Sequence, residues 1–172
     1  MIGETVFKER FPMLSNDLFT SYAERYIDMV YRVALHYLKS AEYAEDVTQN
    51  VFVKLLQYRK PFESDQHVRN WLIRVTLNEC KNLVRKRWWH HESYDDYAGK
   101  LHFDTPKHSE VFSAVMELPK RYRLPIYLHY YEEDTTQEIA DLLKIPKSTV
   151  CTQLKRGRDL LKQALAKEGS YV

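Results

Sequence analysis

Glycine is scarce in this chain of 172 residues, which contains only four: Gly3, Gly99, Gly157 and Gly169. Neither the G-x-G-x-x-G pattern of dinucleotide binding nor the G-x-x-x-x-G-K-[ST] pattern of a phosphate-binding loop occurs. The sequence therefore excludes these two ways of binding a nucleotide.

Cysteine is equally rare, and no metal or cofactor site is predicted. Cys80 and Cys151 lie far apart without a C-x-x-C partner, so we expect reduced thiols, and their role stays open. Between residues 89 and 108, histidines and aspartates occur at spacings that match no standard set of metal ligands. With Gly99 and Pro106 in the same segment, a linker is the favoured interpretation.

Long apolar runs are absent as well. The first residues, Met1 to Glu4, lack the apolar stretch of a secretory leader, and no run approaches the length of a membrane span. We expect a soluble, cytoplasmic protein without direct membrane insertion.

Charge is small in total but unevenly distributed. The net charge is +2, made up of +3 over residues 1–88, −4 over residues 89–118 and +3 over residues 119–172. Two mildly basic blocks flanking an acidic segment suggest that the blocks contact a polyanion, although a solvated surface gives similar counts.

The dominant periodicity is helical, which predicts an all-α protein. Helices are predicted over about 22–38, 41–58 and 68–88, and the first is apolar on two sides, as expected of a helix between two neighbours. On the second helix, Asp46, Gln49, Asn50 and Val53 share one polar face. That face is either solvent surface or a docking surface for a partner.

The third predicted helix carries a stripe of basic and amide side chains behind an aromatic loop. The loop contains Phe62, Ser64 and His67, and Trp71 lies at the start of the helix. Aromatic rings and cations in this arrangement suit unpaired DNA, but a core tryptophan flanked by solvated charges is an equal alternative. The stripe consists of Asn70, Arg74, Asn78, Lys81 and Arg85.

The C-terminal part predicts a helix-turn-helix. A short helix from about Ser109 leads to Leu118-Pro119, and the next helix carries aromatic residues expected in its core: Tyr122, Tyr127, Tyr130 and Tyr131. Thr135 and Glu138 form a capping box that starts a helix, Pro146 requires that helix to end, and another begins near Ser148.

The last helix has two distinct faces. Val150, Leu154, Leu161 and Leu165 share an inward arc. The hydroxyls and cations opposite suit phosphates and base edges, while the alternative is an ordinary solvated helix. The outward residues are Ser148, Thr152, Lys155 and Arg156, with Thr149 and Cys151 at the margins.

Together these motifs resemble a bacterial RNA polymerase sigma factor of the extracytoplasmic-function (ECF) group of the sigma-70 family. The resemblance covers about residues 20–166 and rests on segments 44–52 and 70–78, on Leu118-Pro119, and on segments 138–140, 148–150 and 156–158. Three departures are Asn50, where an acid is usual; Glu133-Asp134, where glycine is common; and Cys151, at a position that is often basic or polar.

The resemblance implies two small helical domains, at 1–88 and 109–172, joined by a flexible acidic linker at 89–108. It implies no enzymatic activity and no cofactor. The implied function is to bind core RNA polymerase, recognise the −35 and −10 promoter elements and assist promoter melting, for a stress or envelope-signal regulon and under a cognate anti-sigma factor.

The resemblance also assigns roles to residues. It implies polymerase binding by Asp46, Gln49, Asn50 and Phe52. The residues that it implies for contact with the −10 element are Phe62, Ser64, His67, Asn70, Trp71, Arg74, Asn78, Lys81 and Arg85. Those that it implies for contact with the −35 element are Ser148, Thr149, Cys151, Thr152, Lys155 and Arg156.

Two other classes of protein compete with this interpretation. A simple dimeric helix-turn-helix regulator would leave the Asp46 face and the basic stripe unexplained. A helical enzyme would need converging acids, bases or ligands, and the sequence shows none.

Overall fold

The computed structural model describes residues 14–89 and 110–168, and over these ranges the chain forms seven α-helices and no strand. The all-α prediction is therefore confirmed for the part of the chain described. Most of the predicted linker lies outside these ranges, so the domain boundaries stay a prediction. The helices are α1 (Asn16–Leu38), α2 (Ala41–Gln57), α3 (Asp65–Trp89), α4 (Glu110–Glu117), α5 (Lys120–Tyr130), α6 (Thr136–Leu143) and α7 (Lys147–Glu168).

Helices α1 to α3 form the N-terminal domain. Serine side chains begin the first two: the Ser15 hydroxyl accepts from the Leu18 amide at 3.3 Å, and the Ser40 hydroxyl accepts from the Tyr43 amide at 3.4 Å. Helix α1 contacts α2 and α3 on one side and α5 on another, as its two apolar faces predicted. Fully buried aliphatic side chains fill the space between these helices: Val30, Val33, Val51, Leu55, Leu72 and Ile73.

Helices α4 to α7 form the C-terminal domain, in which α5 packs directly on α7. A Cβ atom at Gly157 of α7 would lie 2.9 Å from Cγ1 of the buried Ile126 of α5, so glycine permits this close approach. The prediction of an aromatic core along α5 holds for Tyr122 and Tyr127. It is wrong for Tyr130 and Tyr131, which lie at the end of the helix and are 54% and 58% exposed.

The main contacts between the two domains are those of α1 with α5 and of α3 with α6. In the first pair, His36 stacks on Tyr127 with ring centroids 4.1 Å apart, and Arg123 Nε donates to the His36 carbonyl at 2.6 Å. Burial lowers the pKa of His36 to about 4, so this imidazole is neutral at pH 7. Beside the second pair, Arg69 of α3 forms ion pairs with Glu132 and Asp134, which lie just before α6.

Candidate nucleic-acid interface

The predicted helix-turn-helix is formed by α6 and α7. The Thr135 hydroxyl accepts from the Glu138 amide at 3.2 Å, and the Glu138 carboxylate accepts from the Thr135 amide at 2.8 Å, which completes the capping box. The hydrogen bonds that the Glu138 carboxylate accepts from the Thr135 amide and hydroxyl lower the pKa of Glu138. Helix α6 ends at Leu143 and is capped by Lys144 in the left-handed conformation with φ 56°, and α7 begins just after Pro146.

Helix α7 presents the outward face that its periodicity predicted. Val150 and Leu154 are 0% and 3% exposed, because they pack into the C-terminal domain. On the other side, Thr149 is half-buried, and the Thr152 hydroxyl donates to the Ser148 carbonyl at 3.0 Å. The exposed candidates for −35 contact are Ser148, Cys151, Thr152, Lys155 and Arg156.

A cleft of about 310 Å³ lies beside the start of α7. Arg121 of α5 and Arg156 of α7 both line it, next to the free amide groups expected at a helix N-terminus. Two guanidinium groups beside a helix N-terminus can hold a phosphate. The sequence did not single out Arg121, because only the fold brings α5 to this cleft. The other lining residues are Tyr122, Ser148, Thr149, Thr152 and Gln153.

The aromatic loop before α3 is an ordered cluster of rings. Phe62 stacks on Tyr58 at 4.6 Å between centroids and meets Trp71 and His67 edge-on at 5.7 and 5.3 Å. The His67 amide donates to the Ser64 hydroxyl at 3.1 Å, and the Glu63 amide donates to His67 Nδ1 at 3.3 Å. Phe62, His67 and Trp71 are only partly buried, so their rings are both supported and accessible.

The stripe along α3 is brought together as predicted. Asn70 is half-buried and accepts from the Gln66 side chain at 3.1 Å, and Arg85 donates to the Asn82 side chain at 3.1 Å. The fully exposed members form a continuous polar and cationic face one turn after another: Arg74, Asn78, Lys81 and Arg85.

The face on α2 is exposed for three of its four predicted polymerase contacts. Asp46, Gln49 and Asn50 lie in solvent beside Val53, which is 52% exposed. Phe52 is different: it is 8% exposed and packs edge-on against Phe19, 6.4 Å away. The resemblance implied a polymerase contact for Phe52, but its phase on α2 turns its side chain to the core.

In residues 14–89 and 110–168, no group of three or more His, Cys, Asp or Glu could hold a metal ion. The histidines and aspartates weighed as ligands lie mainly in 90–109, outside the described residues. None of the described helices is long and apolar enough to cross a membrane.

One domain contains a helix-turn-helix, and the other has an aromatic and basic helix face. This combination is typical of proteins that contact DNA. Residues 22–90 match the family model of sigma-70 region 2, and residues 108–161 match that of sigma-70 region 4. The two matches together span most of the chain.

Curated relatives and solved structures agree with these matches. ECF RNA polymerase sigma factor SigW of Bacillus subtilis is 26% identical, over 94% of this chain and 98% of its own. SigM of the same species is 29% identical, over 81% and 90%. RpoE of Bartonella quintana, solved with the anti-sigma factor NepR, has a TM-score of 0.67 at 18% identity, covering 86% of this chain and 96% of that one. CnrH, solved with the cytosolic domain of CnrY, has a TM-score of 0.61 at 19% identity, covering 89% and 90%.

The chain belongs to the sigma-70 family of RNA polymerase sigma factors, in its ECF group. It is a transcription initiation factor that binds core RNA polymerase and recognises promoter DNA. The dimeric regulator is not favoured, because that class gives no role to the region 2 match.

Proposed function

We propose that α7 reads the −35 element, that α3 and its preceding loop capture the −10 element, and that α2 docks on core polymerase. The observation that carries the proposal is the division of α7 into two faces. Val150 and Leu154 are committed to the core, so the hydroxyls and cations opposite are free to enter a major groove beside the Arg121 cleft.

Within the −35 site, the proposed roles follow from side-chain chemistry. Arg156 is suited to a bidentate contact with guanine, worth about 1–3 kcal/mol of discrimination. Ser148 and Thr149 lie at the helix N-terminus, where a phosphate is favoured. Thr152 and Lys155 complete the contact surface, with Cys151 at its margin.

Replacing Arg156 with alanine is expected to flatten the preference at one or two adjacent base pairs of the −35 element. The measurement is transcription of a set of −35 variants by core polymerase with the wild type or Arg156→Ala. Lys155→Ala is the comparison. If Lys155 contacts a phosphate, its removal lowers transcription of all −35 variants alike and reduces the salt dependence of binding. No transcription with wild type on any promoter would contradict the proposed function itself, whereas a uniform loss with Arg156→Ala would make Arg156 a phosphate contact.

The docking proposal rests on a compact exposed patch at one side of α2. Asp46, Gln49 and Asn50 offer acceptors and amides around the exposed Val53, while the opposite side of the helix is fully packed. Phe52 supports this patch indirectly, because its ring packs against Phe19 and fixes α2 in place. This limits direct contact to the three polar residues.

The double variant Asp46→Ala/Gln49→Ala is expected to weaken binding to core polymerase about fivefold or more, because two polar contacts of roughly 0.5–1.5 kcal/mol each are lost. A pull-down titration with core enzyme measures the affinity, and far-UV circular dichroism checks the fold. Glu24→Ala is the control, because it removes an exposed acid of α1 instead of α2. Unchanged affinity of the double variant would remove the docking role from this face.

RpoE of Bartonella quintana was solved with the anti-sigma factor NepR, which supports a cognate anti-sigma factor here. We place the protein in the cytoplasm, where core polymerase works, without covalent chemistry of its own and in a stress or envelope-signal response. The proposed domains are residues 1–88 and 109–172, with a linker at 89–108.

A further inference from the structure

The loop between α2 and α3, residues 58–64, lies against a single turn of α1. On that turn Tyr22, Arg25 and Tyr26 are three and four residues apart, so their side chains share one face of the helix. Each of the three contacts either Phe62 in the loop or Asp65, the residue that follows it. Helix α1 therefore supports the loop from a side that neither α2 nor α3 covers.

The Tyr22 ring holds Phe62 in the aromatic cluster. The two rings meet edge-on, with centroids 6.0 Å apart and planes at 89°, which is a favoured geometry for an aromatic pair. Phe62 also stacks on Tyr58, at the end of α2, and meets Trp71 of α3. Phe62 thus has ring contacts from three helices, and the contact from α1 is made by Tyr22.

Arg25 and Tyr26 hold the start of α3. Arg25 Nη1 donates to the Asp65 carboxylate at 2.5 Å, and the Tyr26 hydroxyl donates to the Asp65 carbonyl at 3.3 Å. The Arg25 and Asp65 side chains are more than half exposed, so their ion pair adds little to the free energy of unfolding. It acts on geometry instead, because Asp65 is the first residue of α3 and follows the loop directly.

The loop has few hydrogen bonds of its own. The two between its last residues and His67 lie at the α3 end, where the Ser64 hydroxyl and His67 Nδ1 accept from backbone amides. In the described part of the chain, residues 59–62 make no backbone-to-backbone hydrogen bond. Segments of this kind open locally at a small cost in free energy. The position of residues 59–62 therefore depends on the ring contacts of Phe62.

We propose that Tyr22 and Arg25 are positioning residues for capture of the −10 element, and that they hold the loop in its binding conformation before DNA is engaged. The inference rests on the proposed role of α3 and its preceding loop. A site whose competent conformation is only partly populated loses apparent affinity in proportion to that fraction. A loop ordered in advance avoids this loss. Neither Tyr22 nor Arg25 has to touch a base.

The first test is hydrogen–deuterium exchange of the full-length free chain, followed by mass spectrometry. Tyr22→Ala is expected to raise the exchange rate of the amides in residues 59–67 at least about fourfold, with the rest of the chain unchanged. Tyr22→Phe is expected to exchange as the wild type does, because the ring makes the contact with Phe62. Tyr31→Ala is the matched control, because it removes a half-buried tyrosine from the opposite side of α1.

The second test is promoter opening with saturating core polymerase, followed by the time course of permanganate reactivity at thymines of the −10 element. Tyr22→Ala is expected to slow opening about fivefold, in proportion to the lost fraction of the competent loop. Affinity for core polymerase and for duplex −35 DNA should stay at the wild-type value. Arg25→Met is expected to slow opening by a smaller factor, about twofold, because its ion pair is exposed. Arg25→Lys should recover the wild-type rate.

Four outcomes would overturn the positioning role. Wild-type exchange of the loop in Tyr22→Ala would show that α1 does not hold it. Slow opening with unchanged exchange would make Tyr22 a direct DNA contact, and fast exchange with wild-type opening would show that loop order does not limit capture. Equal defects in Tyr31→Ala would indicate a general loss of structure.

Failure of the proposed function has a different signature. If His67→Ala/Asn78→Ala opens the promoter as the wild type does, the loop and stripe do not capture the −10 element at all. The exchange measurement needs neither polymerase nor promoter, so it tests the support of the loop by α1 separately from that function.

Discussion

Replacing Arg123 with methionine is expected to lower the free energy of unfolding by about 3–5 kcal/mol. Arg123 is 5% exposed, and its guanidinium donates to three carbonyls, one in the last turn of α1 and two at the end of α4. Nε donates to His36, 2.6 Å away, and Nη1 donates to Met116 and Leu118 at 3.1 and 2.8 Å. Methionine fills a similar volume but has no donors, so the carbonyls lose charge-assisted hydrogen bonds in a site without ready access to water.

Urea unfolding followed by far-UV circular dichroism measures this loss. Arg121→Met, two residues earlier on α5, removes an exposed cation and should change the stability by no more than about 0.5 kcal/mol. Arg123→Lys should fall between the two, because an ammonium cannot reproduce the fork of a guanidinium. A loss below about 1 kcal/mol for Arg123→Met would mean that the three carbonyls find other donors.

Removing His67 and Asn78 together is expected to reduce promoter opening at least about tenfold. An unpaired base must be unstacked at a cost of a few kcal/mol, and a fitted surface offsets that cost by roughly 1–3 kcal/mol per stacked base. His67 packs edge-on against the Phe62 ring, and Asn78 lies about three turns further along α3, on its exposed stripe. Both can be truncated without opening the hydrophobic core, unlike Trp71.

Permanganate reactivity of thymines in complexes with core polymerase measures the opening. The variant His67→Ala/Asn78→Ala should show weaker reactivity across the −10 element, with binding to core polymerase unchanged. Lys86→Ala is the control, because it removes an exposed cation of α3 outside the stripe. Wild-type reactivity at every thymine would exclude the loop and stripe from base capture.

The helix-turn-helix was predictable because its signals are local. Thr135, Glu138 and Pro146 act within a turn or two of their own positions, and the structure confirms the start of α6 and the new helix after Pro146. The two faces of α7 follow from periodicity alone, since Val150 and Leu154 fall on one arc. The face of α2 was predictable for the same reason, except at Phe52.

The contact between the domains was not predictable in this way. Arg69 carried a signal, since its phase on α3 is that of Leu72 and Ile73, but its partners are more than 60 residues away in sequence. Arg123 likewise has a carbonyl partner 87 residues away. Tyr130 and Tyr131 continue an aromatic pattern and are nevertheless exposed, because α5 ends there. Contacts between distant residues and the positions of helix ends depend on tertiary packing, and the periodicity of the sequence does not predict that packing.

The two cysteines differ in a way that affects their chemical reactivity. Cys80 is fully buried, and burial raises the pKa of its thiol to about 12, so the nucleophilic thiolate is negligible at neutral pH. Cys151 is exposed on α7, among the residues proposed to read DNA. An alkylating reagent at neutral pH therefore modifies Cys151 and leaves Cys80 intact. A bulky adduct there is expected to block the face of α7 that we propose enters the major groove, while the proposed docking face on α2 stays accessible.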